Sequence, residues 1–205
     1  MGGDVLGGEG SDDFYLGHGS VGGVVAGGNG DDVYRVDHAD AHIVEKAGQG
    51  DYDIVYAKTD YQLSKNVHVE YLLADATGIS LTGNNLANHM TGSFGDDHLS
   101  GGGGSDILSG LGGFDILTGG AGSDNFIFQP GDGVDHVTDF AAHGLDQDHI
   151  NLFPDFGIET FHELKSHLSQ HGDAVVMNLG YGDKVVLNHV TLSDLNASNF
   201  SFDAA

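Results

Sequence analysis

A nine-residue period is the feature of this 205-residue sequence that most restricts its fold. From Gly83 onward, five consecutive units read GNNLANHMT, GSFGDDHLS, GGGGSDILS, GLGGFDILT and GGAGSDNFI. The sixth position is acidic or an amide, and the eighth is large and apolar: Asn88, Asp97, Asp106, Asp115 and Asp124, then Met90, Leu99, Leu108, Leu117 and Phe126. A fixed period of this kind predicts a repeat architecture.

Three further units follow the same template outside this run. PGDGVDHV places Asp135 and Val137 in the same two roles after a slip of two residues. Near the N-terminus, GGEGSDDFY (residues 7–15) and GGNGDDVYR (residues 27–35) place Asp12 and Asp32 at the sixth position. Between them, Val21 stands where the spacing from Asp12 predicts another Asp.

The unit has a direct physical interpretation. Glycine at the first, second and fourth positions allows positive φ and a tight turn, which aims several carbonyls inward. The apolar eighth residue lies in a strand too short to be stable alone. Two units therefore make one 18-residue coil, and coils stack as parallel strands about 4.8 Å apart. This stacking predicts an all-β parallel β-roll or β-solenoid, with Asp97 beside Asp115, Asp106 beside Asp124, and Leu108 between Met90 and Phe126.

Stacked carboxylates repel each other by about 0.9 kcal/mol per pair in water and about 3.5 kcal/mol at an effective dielectric near 20. The chain has 6 Lys and Arg residues against 31 Asp and Glu residues, a net charge of −25. A hard cation bound by carboxylates and carbonyls would neutralise the stack. Calcium fits best, because magnesium requires a stricter octahedron and soft metals prefer Cys or clustered His. The charge argues against nucleic acid as a partner, and we expect no membrane span.

The pattern GGxGxDxUx resembles the RTX calcium-binding repeat in the C-terminal region of bacterial proteins exported by type I secretion, such as serralysin-type proteases and alginate epimerases. The resemblance implies several calcium ions between the turns, each held by Asp carboxylates and backbone carbonyls of two turns. The carboxylates so implied are Asp12, Asp32, Asp97, Asp106, Asp115, Asp124 and Asp135. The glycines so implied are Gly8, Gly10, Gly28, Gly30, Gly95, Gly102, Gly104, Gly113, Gly120 and Gly122.

The resemblance also divides the chain into four parts. Residues 1–35 form an N-terminal repeat block, 36–82 a spacer of degenerate coils continuing the solenoid, 83–137 the main repeat block, and 138–205 a small α+β cap with the secretion signal. In the cap we expect one helix near 158–169, strands near 174–179 and 184–190, and a final segment near 192–202. Asn88, Leu86 and Leu111 depart from the template, so calcium sites at the ends of each block are expected to be imperfect.

The expected function is that of a secreted bacterial calcium-binding module, which folds outside the cell and is recognised by the type I secretion apparatus. An alternative is a calcium-dependent polysaccharide-binding module of an exported enzyme or adhesin. A third hypothesis is an enzyme, since paired carboxylates also serve glycosidases. We expect no enzymatic activity, because the sequence has neither HExxH nor a Ser nucleophile elbow. His162, His167 and His171 could share part of a helical face and bind a transition metal, but a solvated surface is the favoured interpretation.

Overall fold

The computed structural model describes residues 4–17 and 23–203 and is a parallel β-solenoid of about seven turns, as the sequence predicts. Val21 lies outside the described residues. Two long sheets face each other across one apolar core, and a third sheet pairs β1 (Val5–Glu9) with β3 (Val25–Asn29) in parallel. None of the helices in the described part of the chain is long and apolar enough to cross a bilayer.

Every strand pair of the nine-stranded sheet is parallel. Its strands in chain order are β2 (Asp13–Leu16), β4 (Val33–Val36), β5 (Ile54–Ala57), β7 (Tyr71–Ala74), β9 (His89–Ser93), β11 (Ile107–Leu111), β13 (Asn125–Phe128), β15 (His149–Leu152) and β19 (Phe200–Ser201).

The eight-stranded sheet is parallel through its solenoid part and antiparallel where the cap adds its last two strands. In spatial order its strands are β6 (Tyr61–Gln62), β8 (Ser80–Thr82), β10 (His98–Gly103), β12 (Ile116–Ala121), β14 (Val134–Val137), β18 (Asp183–Leu187), β17 (Ala174–Gly180) and β16 (Leu168–His171).

The eighth residues of the repeats form two columns in the core. Leu108 pairs with both Met90 and Phe126, as the nine-residue spacing predicts. Equivalent residues of the spacer and the cap extend both columns. One column contains Tyr34, Val55, Leu72, Met90, Leu108, Phe126 and Ile150, and the other contains Tyr61, Leu81, Leu99, Leu117, Val137 and Leu187. All of these side chains are buried. Because each turn is too small for a core of its own, stacking of the columns provides the stability of the fold.

The cap differs from the expected pattern in one element. The helix α1 spans Phe161–Leu164 and is followed by a 3-10 turn at Lys165–His167, so it is shorter than the expected helix near 158–169. Leu168–His171 is instead a strand that pairs antiparallel with β17, because its backbone groups find partners there. The two strands expected near 174–179 and 184–190 are present as β17 and β18. Further 3-10 turns lie at Pro154–Phe156 and Ala197–Asn199.

Candidate metal sites

The repeat carboxylates form two ladders along the solenoid axis. In each ladder, the backbone N–H of one residue donates to the Oδ1 atom of the equivalent Asp one coil later. Asp97 N–H reaches Asp115 at 2.8 Å, and Asp106 N–H reaches Asp124 at 2.8 Å, each 18 residues on. The predicted neighbours are therefore confirmed. Asp12 and Asp32 are joined in the same way at 2.7 Å, and so are Asp115 and Asp135 at 3.0 Å.

The second oxygen of the ladder carboxylates has no protein partner in most units. Oδ2 is buried without a hydrogen-bond partner among the described residues in Asp12, Asp32, Asp106, Asp115 and Asp124. A buried carboxylate oxygen left unpaired is costly, so these atoms fit a cation better than an empty space. At Asp97 the arrangement differs, because Ser93 replaces the second glycine and donates from its N–H at 2.6 Å and its hydroxyl at 2.7 Å.

Asn88 shows how a neutral amide fills a position in the ladder that contains Asp106. As a neutral amide at the ladder position, it accepts the Asn84 N–H through Oδ1 and donates from Nδ2 to the carbonyl of Val69 at 2.8 Å. Asn88 Oδ1 takes the place that Oδ2 has in Asp97, since each accepts the N–H four residues before it. The amide therefore fills a ladder position with both of its polar atoms hydrogen-bonded and without a charge.

The first glycine of each unit serves a purpose different from the expected one. Gly27, Gly101, Gly110 and Gly119 are not in the positive-φ region. Instead, a Cβ at any of them would overlap with the carboxylate of its own unit, for example with that of Asp124 in the case of Gly119. The expectation of positive φ at this position is therefore wrong, because the glycine leaves room for the carboxylate.

The second and fourth glycines agree with the turn conformation expected from the sequence, apart from Gly95. Leu111 takes φ +65° at a second position, so the turn keeps its shape there without glycine. Gly95 lies outside the positive-φ set, and a Cβ there would stand 2.9 Å from the Cβ of Thr77. Positive φ occurs at Gly8, Gly10, Gly28, Gly30, Gly102, Gly104, Gly113, Gly120 and Gly122.

Burial dominates the electrostatics of the ladders. It raises the pKa of Asp106 to about 7, of Asp115 to about 6 and of Asp135 to about 8, and neighbouring carboxylates add to each increase. The pKa values of Asp32 and Asp124 are raised for the same reason. A cation at these sites therefore competes with protons, which makes its affinity depend on pH.

The ladders extend beyond the residues that the spacing indicates. Asp32 N–H donates to Asp53, 21 residues on, and Asp124 N–H donates to Asp148, 24 residues on. Burial raises the pKa of Asp53 to about 7 and of Asp148 to about 6. The nine-residue template missed both residues because these coils are longer. Each precedes a buried apolar residue by two positions, as Asp32, Asp106 and Asp124 do, and that shorter signal could have identified them.

Two carboxylates that follow the main repeat block accept hydrogen bonds from the turns of the last coils. Asp139 accepts from the N–H groups of Gly119 and Gly120 at 3.0 and 2.8 Å. Asp183, on the cap strand β18, accepts from those of Gly131 and Gly133 at 2.9 and 3.0 Å. These contacts attach the cap to the solenoid through its turns.

No group of three or more His, Asp or Glu side chains in residues 4–17 and 23–203 forms a metal-binding cluster. A cation on a ladder would therefore take most of its ligands from backbone carbonyls. His162, His167 and His171 do not share a helical face, because the helix ends at Leu164. Instead, His167 Nδ1 contacts the carbonyl of Asn178 and His171 Nε2 contacts the Ser169 hydroxyl.

Comparison with known proteins gives one family match. The model of the RTX calcium-binding nonapeptide repeat (4 copies) matches residues 82–117 and 101–135. No curated protein matches the chain. Among solved structures, the extracellular lipase LipA from Serratia marcescens is similar at 19% identity and a TM-score of 0.43, over 97% of this chain and 38% of the lipase. The chain therefore spans well under half of that lipase's length.

Proposed function

We propose that this chain, whose residues 82–135 are RTX calcium-binding nonapeptide repeats, is a module that folds when it binds calcium outside the cell. The observation that carries the proposal is the set of buried Oδ2 atoms that have no hydrogen-bond partner within residues 4–17 and 23–203. Asp106, Asp115 and Asp124 would hold calcium in the main block, and Asp12 and Asp32 in the N-terminal block. Bound calcium supplies the positive charge that neutralises these carboxylates.

The residues of the chain explain why folding would depend on calcium. Without the ion, the carboxylates of each ladder repel each other inside a low-dielectric interior, and ordering the glycines costs conformational entropy. Extracellular calcium sites bind at about 10⁻⁴–10⁻³ M, far above cytosolic calcium. The unfolded chain would therefore persist inside the cell, and the ladders would form outside by linkage.

The test is a calcium titration of the metal-stripped chain followed by far-UV circular dichroism, with magnesium as the matched control. A cooperative gain of β signal in the millimolar range with calcium, and none with magnesium, is the expected result. A metal-stripped chain that already has the full β signal at neutral pH would refute the folding switch.

We also propose that residues 138–205 carry the type I secretion signal and that the chain is exported by a bacterium. The match of residues 82–135 to the repeat family supports this proposal. Expression beside a type I export apparatus should release the whole chain into the medium, and removal of residues 192–205 should keep it inside. Export of the shortened chain at an unchanged rate would contradict the assignment.

The chain is further proposed to have no enzymatic activity, since its buried carboxylates recur along two ladders rather than forming one acid–base pair. Turnover of polysaccharide or ester substrates by the isolated, calcium-loaded chain would overturn this proposal.

A second candidate function, calcium-dependent polysaccharide binding, is favoured by one groove of about 460 Å³. On its wall the Tyr71 ring lies between those of Tyr52 and His89, with centroids 5.9 and 5.2 Å apart. Asp51 and Glu70 line the same groove. Aromatic rings contact the apolar faces of sugars and carboxylates accept from their hydroxyls, which makes the groove chemically suitable.

Affinity electrophoresis through immobilised polysaccharides, with and without calcium, tests this candidate. Binding should retard the chain only with calcium, and Tyr71→Ala should abolish the retardation. Tyr181→Ala, at an exposed cap position, is the matched control. Equal retardation of the Tyr71 variant and the wild type would exclude the groove as the site.

A further inference from the structure

Glu45 places a second buried carboxylate beside the ladder residue Asp32. Glu45 is 2% exposed and Asp32 is fully buried. Glu45 belongs to the spacer, outside the residues that match the repeat family. The neighbouring bridge between Val25 and Ile43 and the bond from Val44 N–H to the Val25 carbonyl stack this segment on β3. Glu45 thus lies next to Gly27, the first glycine of the repeat that contains Asp32.

The two oxygens of Glu45 differ in their partners. Oε1 accepts from the Gly27 N–H at 2.7 Å and from the Tyr34 hydroxyl, while Oε2 is buried without a hydrogen-bond partner among the residues that the structure describes. Asp32 Oδ2 is likewise buried and has no hydrogen-bond partner among the described residues. A Cβ on Gly27 would overlap with both the Asp32 carboxylate and the Tyr34 hydroxyl, so these groups converge on one glycine.

Two unpaired carboxylate oxygens in one buried region require a compensating charge. The ion pairs of the described residues join Arg35 to Asp13, Lys58 to Asp75 and His189 to Asp173, and so none includes Asp32 or Glu45. Because both groups offer carboxylate oxygens, a hard divalent cation is the compensating charge that their chemistry favours.

We propose that Glu45 and Asp32 form a divalent-cation site between the second repeat turn and the spacer. Glu45 Oε2 and Asp32 Oδ2 are its carboxylate ligands. Tyr34 is a positioning residue, because its hydroxyl occupies Oε1 and leaves Oε2 free for the ion. This site rests on the proposed function for the identity of the ion, calcium, but uses a residue outside the nonapeptide pattern.

Calcium stoichiometry of the full chain, measured by equilibrium dialysis at saturating calcium, tests the site. Glu45→Gln should bind one calcium ion fewer than the wild type, and Glu159→Gln, the same change at an exposed cap residue, should bind the wild-type number. An unchanged number in folded Glu45→Gln would overturn this inference and leave the proposed function intact. A wild-type chain that binds no calcium would overturn both.

A second variant keeps the inference testable if Glu45→Gln fails to fold. The chain has no Trp, so its seven Tyr residues alone sensitise bound terbium by energy transfer. Tyr34→Phe preserves the ring but removes the hydroxyl and the phenol absorption. It should lower tyrosine-sensitised terbium emission, whereas Tyr181→Phe, at an exposed position, should not. Undiminished emission from Tyr34→Phe would contradict a cation beside Glu45.

Discussion

Replacement of Asp106 by Asn should have opposite effects without and with calcium. It should stabilise the fold of the calcium-free chain, but raise the calcium concentration that the chain needs to fold. Asp106 is 1% exposed, its Oδ1 accepts the Asn88 N–H, and its Oδ2 has no hydrogen-bond partner in the described part of the chain. The amide removes the charge. Asn88 shows that an amide at a ladder position has partners for both of its polar atoms, the Asn84 N–H and the Val69 carbonyl, so the variant is expected to fold.

The magnitude follows from the pKa of Asp106, which burial raises from 3.8 to about 7. The ionised form is disfavoured in the folded chain, so its penalty is fully present above pH 7. It shrinks between pH 7 and 3.8 and is absent below 3.8. A shift of this size corresponds to about 4 kcal/mol near pH 8, which is comparable to the whole stability of a small domain. Asp106→Asn relieves this penalty in the calcium-free chain.

Two titrations followed by circular dichroism measure the effect. In the metal-stripped chain, acidification from about pH 8 should restore β signal, and Asp106→Asn should move that transition to higher pH. At about pH 8, the same variant should need more calcium to fold, because one charged ligand is gone. The matched control is Asp155→Asn, the same change at an exposed residue, which should leave both transitions in place. A variant with an unchanged pH transition and an unchanged calcium midpoint would show that Asp106 is neither a costly buried charge nor a calcium ligand.

Two further substitutions test the turns and the cap. Gly119→Ala places a Cβ against the Asp124 carboxylate and should lower the stability of the calcium-loaded chain by about 1–3 kcal/mol in urea unfolding. The control is Gly103→Ala, whose Cβ would meet its nearest atom at 3.7 Å and which should cost less than about 1 kcal/mol. Equal losses in the two glycine variants would contradict the steric role of the first glycine. Asp183→Asn removes the charge that accepts from the N–H groups of Gly131 and Gly133 and should cost about 2–3 kcal/mol by the same assay. Its control, Asp173→Asn at an exposed ion pair, should cost about 1 kcal/mol or less. A loss no greater than that of the Asp173 variant would show that the cap is attached by other contacts.

The sequence predicts the solenoid and its register well where the period is constant. Nine-residue spacing places Leu108 beside Met90 and Phe126, and Asp97 beside Asp115, because in a parallel stack equal spacing means equal height. The period fails where coils lengthen to 20, 21 or 24 residues, so Asp53 and Asp148 stay hidden although their ladder contacts are the same.

Contacts between distant segments account for the other differences. The room that Gly27 leaves for the Asp32 carboxylate depends on how the turn closes, and the period alone does not show it. The Glu45 contact with Tyr34 joins a spacer residue to a repeat residue, and the nine-residue template includes Tyr34 but not Glu45. The cap helix is short because Leu168–His171 finds a strand partner, a choice made by tertiary pairing rather than by helix propensity.

A crystal structure of the calcium-loaded chain with anomalous diffraction data would show whether calcium occupies the ladders. We expect calcium peaks at about 2.3–2.6 Å, the usual calcium–oxygen distance, from the Oδ2 atoms of Asp106, Asp115 and Asp124, with backbone carbonyls completing each site. A folded solenoid in saturating calcium whose Oδ2 atoms contact only water or protein would contradict that expectation.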